Sequence, residues 1–553
     1  MDSEISLGLD FGTSTTLVAL PGNRRPEILS IGTTTTWLPS VLSSTDGVNW
    51  TIGEDADAAF MDTQVRSPKS AITHNLDELT NDRGVSIKAD DAIRQILIEV
   101  VSRCKSRGFE NFDHVRVSCP AMWDGNQRQR LIKLVNEAGL TSDIDNIIDE
   151  PIAASIAWWW TRFSKGLEIH SRQRAVIFDL GGGTLDVAVV DIYPKPGMPE
   201  MTILSARGID IAGDALDEVL RDLIIERLLE EKQFDVAAQT DTNLVKSAIA
   251  RGAREVKEAL SFVQQTKFSV DPAITRVPII EVNRSDLNNV YEPQLRRALR
   301  CLDAALREAR MKQGDNLSGP QIGAIPIETL GGEIDFVVLA GGMSQIPLVL
   351  EHLQKMMPRA TVESASYDSK NSTAAIAEGV ANQSDFADLN IHRPNFDFII
   401  EWTDRSGGFH SEIIYPAFTP LYLPEQVARG ETELGFTVKW KPRENPLGQV
   451  ALKVRSIGGR DIAMSVSGGM QAGKLREALM LDADRLDGIH FKLFASGKII
   501  IQDRMHREYV MRINKWPFIR FQSKNSESAA VLELEPVLES TSSTPSYDPW
   551  RYK

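Results

Sequence analysis

Leu7-Gly8-Leu9-Asp10-Phe11-Gly12-Thr13-Ser14-Thr15 and Val176-Ile177-Phe178-Asp179-Leu180-Gly181-Gly182-Gly183-Thr184-Leu185-Asp186 are two versions of one pattern, about 170 residues apart. Each begins as an apolar strand, reaches an Asp, turns through glycine into hydroxyl residues and resumes as a strand. Glycine lets a backbone come within hydrogen-bonding distance of an anion, because no Cβ intervenes. Consecutive turn N–H groups then form an anion-binding concavity. The Thr and Ser hydroxyls add donors, and each Asp can hold a hydrated divalent cation in the way Mg²⁺ prefers. Two such hairpins facing each other would grip a polyphosphate from both sides. The duplication therefore predicts an ATP-binding cleft between two related lobes.

The rest of the chain narrows the class. At 553 residues it is too long for one core, so several domains are expected. A composition of 42% hydrophobic and 25% charged residues is that of an ordinary soluble globular protein. The net charge of -15 argues against nucleic acid or an anionic membrane as the main partner. The acidic start, Met1-Asp2-Ser3-Glu4, leads straight into a strand without a visible signal peptide. No apolar run reaches the roughly 20 residues that span a bilayer. Cys104, Cys119 and Cys301 lack metal-ligand spacing and read as small buried hydrophobes in a reducing compartment. The eight His residues are dispersed and none is assigned to a metal. A cytoplasmic location is the expectation.

Along the chain, residues 1–20 read as a hairpin around the first glycine turn, and Lys88 to Arg107 as a helix with Ile93, Ile96, Leu97, Val100, Val101 and Cys104 at helical spacing. His114 to Ser118 reads as a strand stopped by Pro120, Gly125 to Ala138 as a helix, and Asp149 to Trp160 as another with Pro151 in its first turn. Leu216–Glu231, Asn243–Leu260 and Glu292–Lys312 are further amphipathic helices. Met311 to Glu333 reads as a Gly/Pro-rich surface insertion, and Asp335–Gly342 as a strand entering a Gly-rich turn. Trp158-Trp159-Trp160 reads as a packed helix end rather than a stacking platform. From Phe396 to Trp516 short alternating runs, several parted by Gly or Pro turns, predict an all-β domain. From about Ser523 the Ser-, Glu- and Pro-rich tail has the composition of a disordered segment.

Five ordered motifs together resemble the seventy-kilodalton heat-shock protein chaperones, whose ATPase domain has the actin/hexokinase superfold. They are the two glycine turns; Ser118-Cys119-Pro120-Ala121-Met122-Trp123 leading to Asp149-Glu150-Pro151-Ile152-Ala153-Ala154; Val338-Leu339-Ala340-Gly341-Gly342-Met343-Ser344-Gln345-Ile346-Pro347; and Ala374-Ala375-Ile376-Ala377-Glu378-Gly379-Val380. The resemblance covers residues 5–383 and, less fully, 395–515, where Gly488 to Ile501 is similar to a strand–turn–strand of the peptide-binding β-sandwich. It implies an α/β fold: a two-lobed ATPase domain over 1–383, a linker over 384–394, a β-sandwich over 395–522 and a tail over 523–553. No long helical lid follows the β domain, and its arch residues are not placed by the sequence.

Carried over position by position, the resemblance gives each motif a role. Gly12, Thr13, Ser14 and Thr15 would hold the β- and γ-phosphates, with Gly181, Gly182, Gly183 and Thr184 closing from the other side. Asp10 and Asp179 would hold the hydrated Mg²⁺, and Asp186 a monovalent cation such as K⁺. Lys69 would be the catalytic lysine, and Glu150 would orient the attacking water with Asp179 and Thr184 assisting. Gly213, Lys257, Glu258, Ser261, Gly341, Gly342, Met343 and Gln345 would surround the ribose and base of ATP or ADP. Pro120 and Arg128 would relay nucleotide state to the second domain.

Some positions depart from the family's pattern. Glu258 stands where an arginine usually stacks on adenine, Arg254 where a glutamate is expected, and Met343 and Gln345 where Ser and Arg are common. Asn146 replaces the arginine that usually meets the J-domain co-chaperone, which points to a divergent co-chaperone or exchange factor. The leading expectation is an ATP-hydrolysing chaperone whose β domain binds a polypeptide client. The rivals are a nucleotide-gated module for one dedicated protein partner with little turnover, and a small-molecule kinase on the same superfold.

Overall fold

A computed structural model of the chain describes residues 6–22, 26–143, 146–167, 170–194, 200–211, 213–311, 319–366, 372–382, 390–391, 394, 396–423, 426, 429–431, 434–456, 459–466, 474–494, 497–512, 518–519 and 532–534. Most of the expected linker and most of the tail lie outside these. The chain forms two compact units. The first takes in residues up to Pro394, and also Phe418–Glu433 and Phe518–Lys524.

Two sheets organise the first unit, and they share one topology. In the first sheet, Leu7–Phe11 is antiparallel to Thr15–Leu20, which is antiparallel to Glu27–Leu29. On its other side Leu7–Phe11 runs parallel to Val115–Cys119, and that strand parallel to Ile147–Asp149. In the second sheet, Gln173–Leu180 takes the place of the first strand. It is antiparallel to Leu185–Tyr193, which is antiparallel to Glu200–Ile209. Parallel to it on the other side lie Phe336–Ala340 and then Thr361–Ser364. Asp10 and Asp179 thus occupy corresponding strands of two like sheets. The repeated motif marks a repeated architecture.

Helices Ala89–Ser106 and Gly125–Glu137 bury Ile93, Leu97, Leu131 and Val135 in one core with Leu9, Phe11 and Val117 of the first sheet. The second helix starts in a capping box, with Asp124 and Gln127 exchanging side-chain-to-backbone hydrogen bonds. Helices Gly213–Lys232, Thr242–Phe262 and Arg284–Met311 pack on the second sheet around Phe178, Val187, Leu220, Ile249 and Leu302. The third starts eight residues before the sequence reading placed it, because Pro293 lies inside the helix rather than at its start. Proline costs a helix a hydrogen bond and so reads as a boundary. The expected surface insertion after Met311 also differs: Ile327–Gly331 is a short helix, and Leu330 and Ile334 join this core.

Two further helices cross. Glu150–Ser164 follows the first sheet in sequence, yet its Ile152, Ile156 and Trp158 pack with Ala175, Ile177 and Val338 of the second. Ala375–Ala381 follows the second sheet, and its Ala377 and Ala381 pack with Leu17 and Ala19 of the first. At the crossing a Cβ on Gly379 would lie 1.8 Å from the Ala153 carbonyl oxygen, and one on Gly8 would lie 2.5 Å from the Ala381 nitrogen. Trp158 is buried, donates through Nε1 to Glu363 at 2.6 Å and meets the Phe336 ring, so the tryptophan run serves packing.

Residues 418–433 leave the second unit in sequence and belong to the first. Phe418, at a positive φ of 60°, donates its N–H to the Pro394 carbonyl and sets its ring 4.3 Å from the Arg128 guanidinium. Tyr422 donates its hydroxyl to Glu308 Oε1 at 2.6 Å, and its carbonyl accepts from Arg207 at 3.1 Å. Glu308 Oε2 accepts from Arg207 at 2.7 Å and from Ser205 at 2.6 Å. All four side chains are buried, so each charge is neutralised where water cannot reach.

Among the described residues the second unit is antiparallel apart from one strand pair. One sheet joins Phe409–Tyr415, Phe396–Thr403, Val450–Ser456 and Leu479–Leu481, with Asp461–Ile462 beside it. The other orders Gly435–Trp440, Ile489–Phe494, Lys498–Gln502 and Glu508–Arg512. Ring contacts link the two sheets, Phe398 to Phe491 at 4.9 Å and Trp402 to Trp440 at 5.1 Å. Within the expected disordered tail, Leu532–Leu534 forms a strand parallel to Met464–Val466. Cys104, Cys119 and Cys301 are buried and form no disulfide, and among the described residues no helix is long and apolar enough to cross a membrane.

Two substitutions test this packing by urea unfolding. Gly379→Ala forces a methyl against backbone and should cost about 1–3 kcal/mol. Tyr422→Phe removes the hydroxyl that donates to the buried Glu308 Oε1 and should cost about 1–3 kcal/mol. An unchanged midpoint in either variant would contradict the corresponding contact.

Candidate functional site

Asp10, Asp179, Asp186, Glu150 and Lys69 converge on one buried volume, with exposures between 1% and 6%. The two sheets bring them there: Asp10 is the penultimate residue of one inner strand, Asp179 that of its counterpart, and Asp186 pairs with Asp179 across the second hairpin. Glu150 opens its helix directly after the strand Ile147–Asp149. Lys69 sits at the start of a short helical turn, pairs with Glu150 Oε1 and lies 5.6 Å from the Trp123 ring. The strand end after Val115–Cys119 adds two supports. Ser118 Oγ donates to Asp10 Oδ1 at 2.8 Å, and the Ala121 N–H donates to Asp186 Oδ1 at 2.6 Å.

Burial and mutual repulsion set the electrostatics. Burial, then the charge of Glu150, pushes the Asp10 carboxyl up to about 7, against the pull of Lys69 and Ser118. Asp186 rises to about 8 for the same two reasons, and Asp179 rises well above the carboxylate range through burial, Glu150, Asp186 and Asp10. Burial pulls Lys69 down, but Glu150 and Asp10 outweigh it and its net shift is upward. Asp186 Oδ2 is buried without a hydrogen-bond partner among the described residues. An all-oxygen set with surplus negative charge and an unsatisfied oxygen fits a hard cation such as Mg²⁺ or K⁺.

The two glycine turns meet face to face. A Cβ on Gly182 would lie 2.3 Å from Ser14 Oγ, and one on Gly183 would lie 2.7 Å from Thr13 Oγ1. Each turn is closed from within, Gly12 N–H to the Thr15 carbonyl and Gly181 N–H to the Thr184 carbonyl, both at 3.0 Å. Thr184 is buried. Gly213 joins this group: its N–H donates to the Gly181 carbonyl, and a Cβ there would meet Lys257 Nζ and Met343 at 3.3 Å. Gly341, at φ 73°, lies so close to Leu180 and Asp179 that a Cβ would fall 2.3 Å from the Leu180 carbonyl oxygen.

Other expected residues stand further out. Gly342, Glu258 and Gln345 are exposed. Lys257 is buried and pairs with Asp217 at 2.6 Å, and Arg254 pairs with the same carboxylate at 3.1 Å. Ser261 Oγ donates to the Lys257 carbonyl at 3.2 Å. Pro120 is buried, and Arg128 joins Asp149 at 2.5 Å and the Trp123 carbonyl at 3.0 Å.

Sequence reasoning missed several contributors. Asp217 gathers Arg254 and Lys257 of helix Thr242–Phe262, and Ser67 donates to Asp214 Oδ2 at 2.6 Å from a position 147 residues earlier. Ser118 stands in a strand and at the head of the motif running to Trp123, yet nothing in that text assigns it a role toward Asp10.

Four buried carboxylates, a buried lysine and two facing glycine turns thus lie together. A family model described as "Hsp70 protein" matches residues 58–394. That is more than half of the chain, and the chain belongs to the Hsp70 family. It is therefore of the ATP-binding chaperone type, in a family whose members are generally ATPases. The match begins after the first glycine turn.

The raised Asp10 gives a pH dependence with a definite sign. Between its ordinary value of 3.8 and about 7, the folded state holds a proton that the unfolded state has lost. Stability from this group is therefore lost as pH rises through that window. In chelator, Asp10→Asn should gain thermal stability relative to the unsubstituted protein as pH rises across it. Added Mg²⁺ should shrink the difference. A difference that stays flat with pH would contradict the assigned protonation.

Proposed function

We propose that the chain is an ATP-hydrolysing, chaperone-like protein. In this reading a two-lobed actin/hexokinase-like domain holds ATP, and its nucleotide state controls polypeptide or partner binding by a C-terminal β-sandwich. The supporting observation is the buried Lys69–Glu150 pair among Asp10, Asp179 and Asp186, beside two glycine turns that face each other.

The residues act by position and charge. Turn amides and the Thr13, Ser14 and Thr184 hydroxyls would donate to the phosphates from both sides. The Lys69 ammonium would stabilise negative charge as the γ-phosphoryl departs. Its pairing takes Glu150 Oε1, so Oε2 is the oxygen that would accept from a water and orient it. Asp179 would assist, and burial keeps bulk water from competing. Asp10 and Asp179 would hold Mg²⁺, with Asp186 holding K⁺; when bound, Mg²⁺ supplies positive charge to the polyphosphate. Pro120 and Arg128 would pass the nucleotide state onward, Arg128 through Asp149 beside Glu150 and through the Phe418 ring. Coupling of this kind is reciprocal, so a bound client or a divergent co-chaperone would alter nucleotide affinity in turn. The fitting setting is the cytoplasm.

A second reading, a nucleotide-gated module with little turnover, is favoured by the base end of the site. Lys257 and Arg254 are both committed to Asp217, and the exposed Glu258 offers no cation to stack on adenine.

Single-turnover hydrolysis of ATP, alongside direct ATP binding, separates the two readings. Lys69→Ala and Glu150→Ala should each slow hydrolysis by about 10²–10⁴-fold while still binding ATP. ATP binding without hydrolysis in the unsubstituted protein would favour the gated module, and no ATP binding would overturn both.

A further inference from the structure

We infer that Ser40 is the positioning residue of the first phosphate turn, although it has no place in the turn's own sequence. The inference rests on the nucleotide reading above. Ser40 follows the short strand Leu38–Pro39, which pairs with Thr15 and Thr16 and so carries it beneath the turn. It is 2% exposed. Its N–H donates to the Ser14 carbonyl and its hydroxyl to the Gly12 carbonyl, each at 2.9 Å. The Thr16 hydroxyl lies 3.0 Å from Ser40 Oγ. A serine hydroxyl has one proton, and here the Gly12 carbonyl takes it, so Thr16 is the donor and Ser40 Oγ the acceptor.

These bonds fix the direction of two peptide planes. A trans peptide sets its N–H opposite its C=O. With the Gly12 and Ser14 carbonyls held by Ser40, the N–H groups of Thr13 and Thr15 point away from it. The Gly12 N–H is already spent on the Thr15 carbonyl, so the turn's remaining donors depend on these orientations. A glycine turn left to itself has the widest choice of backbone conformation, and a preformed donor array needs an external restraint. Ser40 supplies that restraint at two carbonyls through one residue. It touches no nucleotide position itself and acts through Gly12 and Ser14.

A residue that merely fills the core would change stability alone, whereas a positioning residue changes recognition of phosphate in particular. The full chain, unsubstituted and as Ser40→Ala, is titrated with ATP, with ADP, and with adenosine by displacement of bound ATP. Loss of the hydroxyl should weaken ATP and ADP by about five- to tenfold and leave adenosine within about twofold. Thr16→Val, which removes only the bond into Ser40 Oγ, should show a smaller loss of the same selectivity, and it serves if Ser40→Ala does not fold. Equal weakening of all three ligands, or a lowered melting temperature with unchanged ATP affinity, would overturn the inference and leave the ATPase reading standing. An unsubstituted protein that binds no ATP overturns that reading, and this role with it.

Discussion

A single ammonium, that of Lys69, sits in a volume shared by four carboxylates from which water is nearly excluded. Charges brought out of water must be compensated by partners or by protons. Lys69 compensates Glu150, and the three aspartates meet the same demand by a rise in their proton affinity. The arrangement holds more carboxylates than cations. Its surrounding features, from the Ser118 and Ala121 donors to the close glycine contacts, keep this imbalance in one place. A cation and a polyphosphate would each alter it, which gives nucleotide state a physical means of changing the structure.

The like topology of the two sheets explains why the imbalance lies where it does. Each inner strand carries an Asp one residue before its end and turns through glycine, and each is flanked by two parallel strands on one side. The crossing helices tie the sheets together at backbone distance, with Gly379 against Ala153 and Gly8 against Ala381. Nothing larger fits at either crossing. Packing at these crossings consequently helps to hold the facing turns, where Ser14 and Thr13 approach Gly182 and Gly183 closely.

Residues inside a local pattern were legible in the sequence. Asp10, Asp179 and Asp186 follow from strand-and-glycine text, and the amphipathic helices from their spacing; Arg284–Met311 was truncated because Pro293 reads as a break. Lys69 was reached only through family resemblance, since a lone lysine after a proline has no pattern of its own. Ser40, Ser118, Ser67 and Asp217 were illegible for a physical reason. A hydroxyl or carboxylate that bonds a partner far along the chain leaves no periodicity, and its meaning appears only when the strands are paired. The match to the Hsp70 family model covers the middle of the chain, so the first turn is recognised by its own residues rather than by that match.

The buried cluster of Arg207, Glu308 and Tyr422 has a consequence for how the molecule is made. Glu308 and Tyr422 are 114 residues apart in the chain. At about 5–20 residues per second of synthesis, on the order of ten seconds separate their emergence from the ribosome. During that interval Arg207 and Glu308 lack the Tyr422 carbonyl and hydroxyl, and the ring that meets Arg128 has not been made. The first unit is therefore finished out of chain order, by a segment translated after part of the second. A nascent chain halted before Tyr422 would carry both glycine turns and still lack the closing piece of the body that holds them.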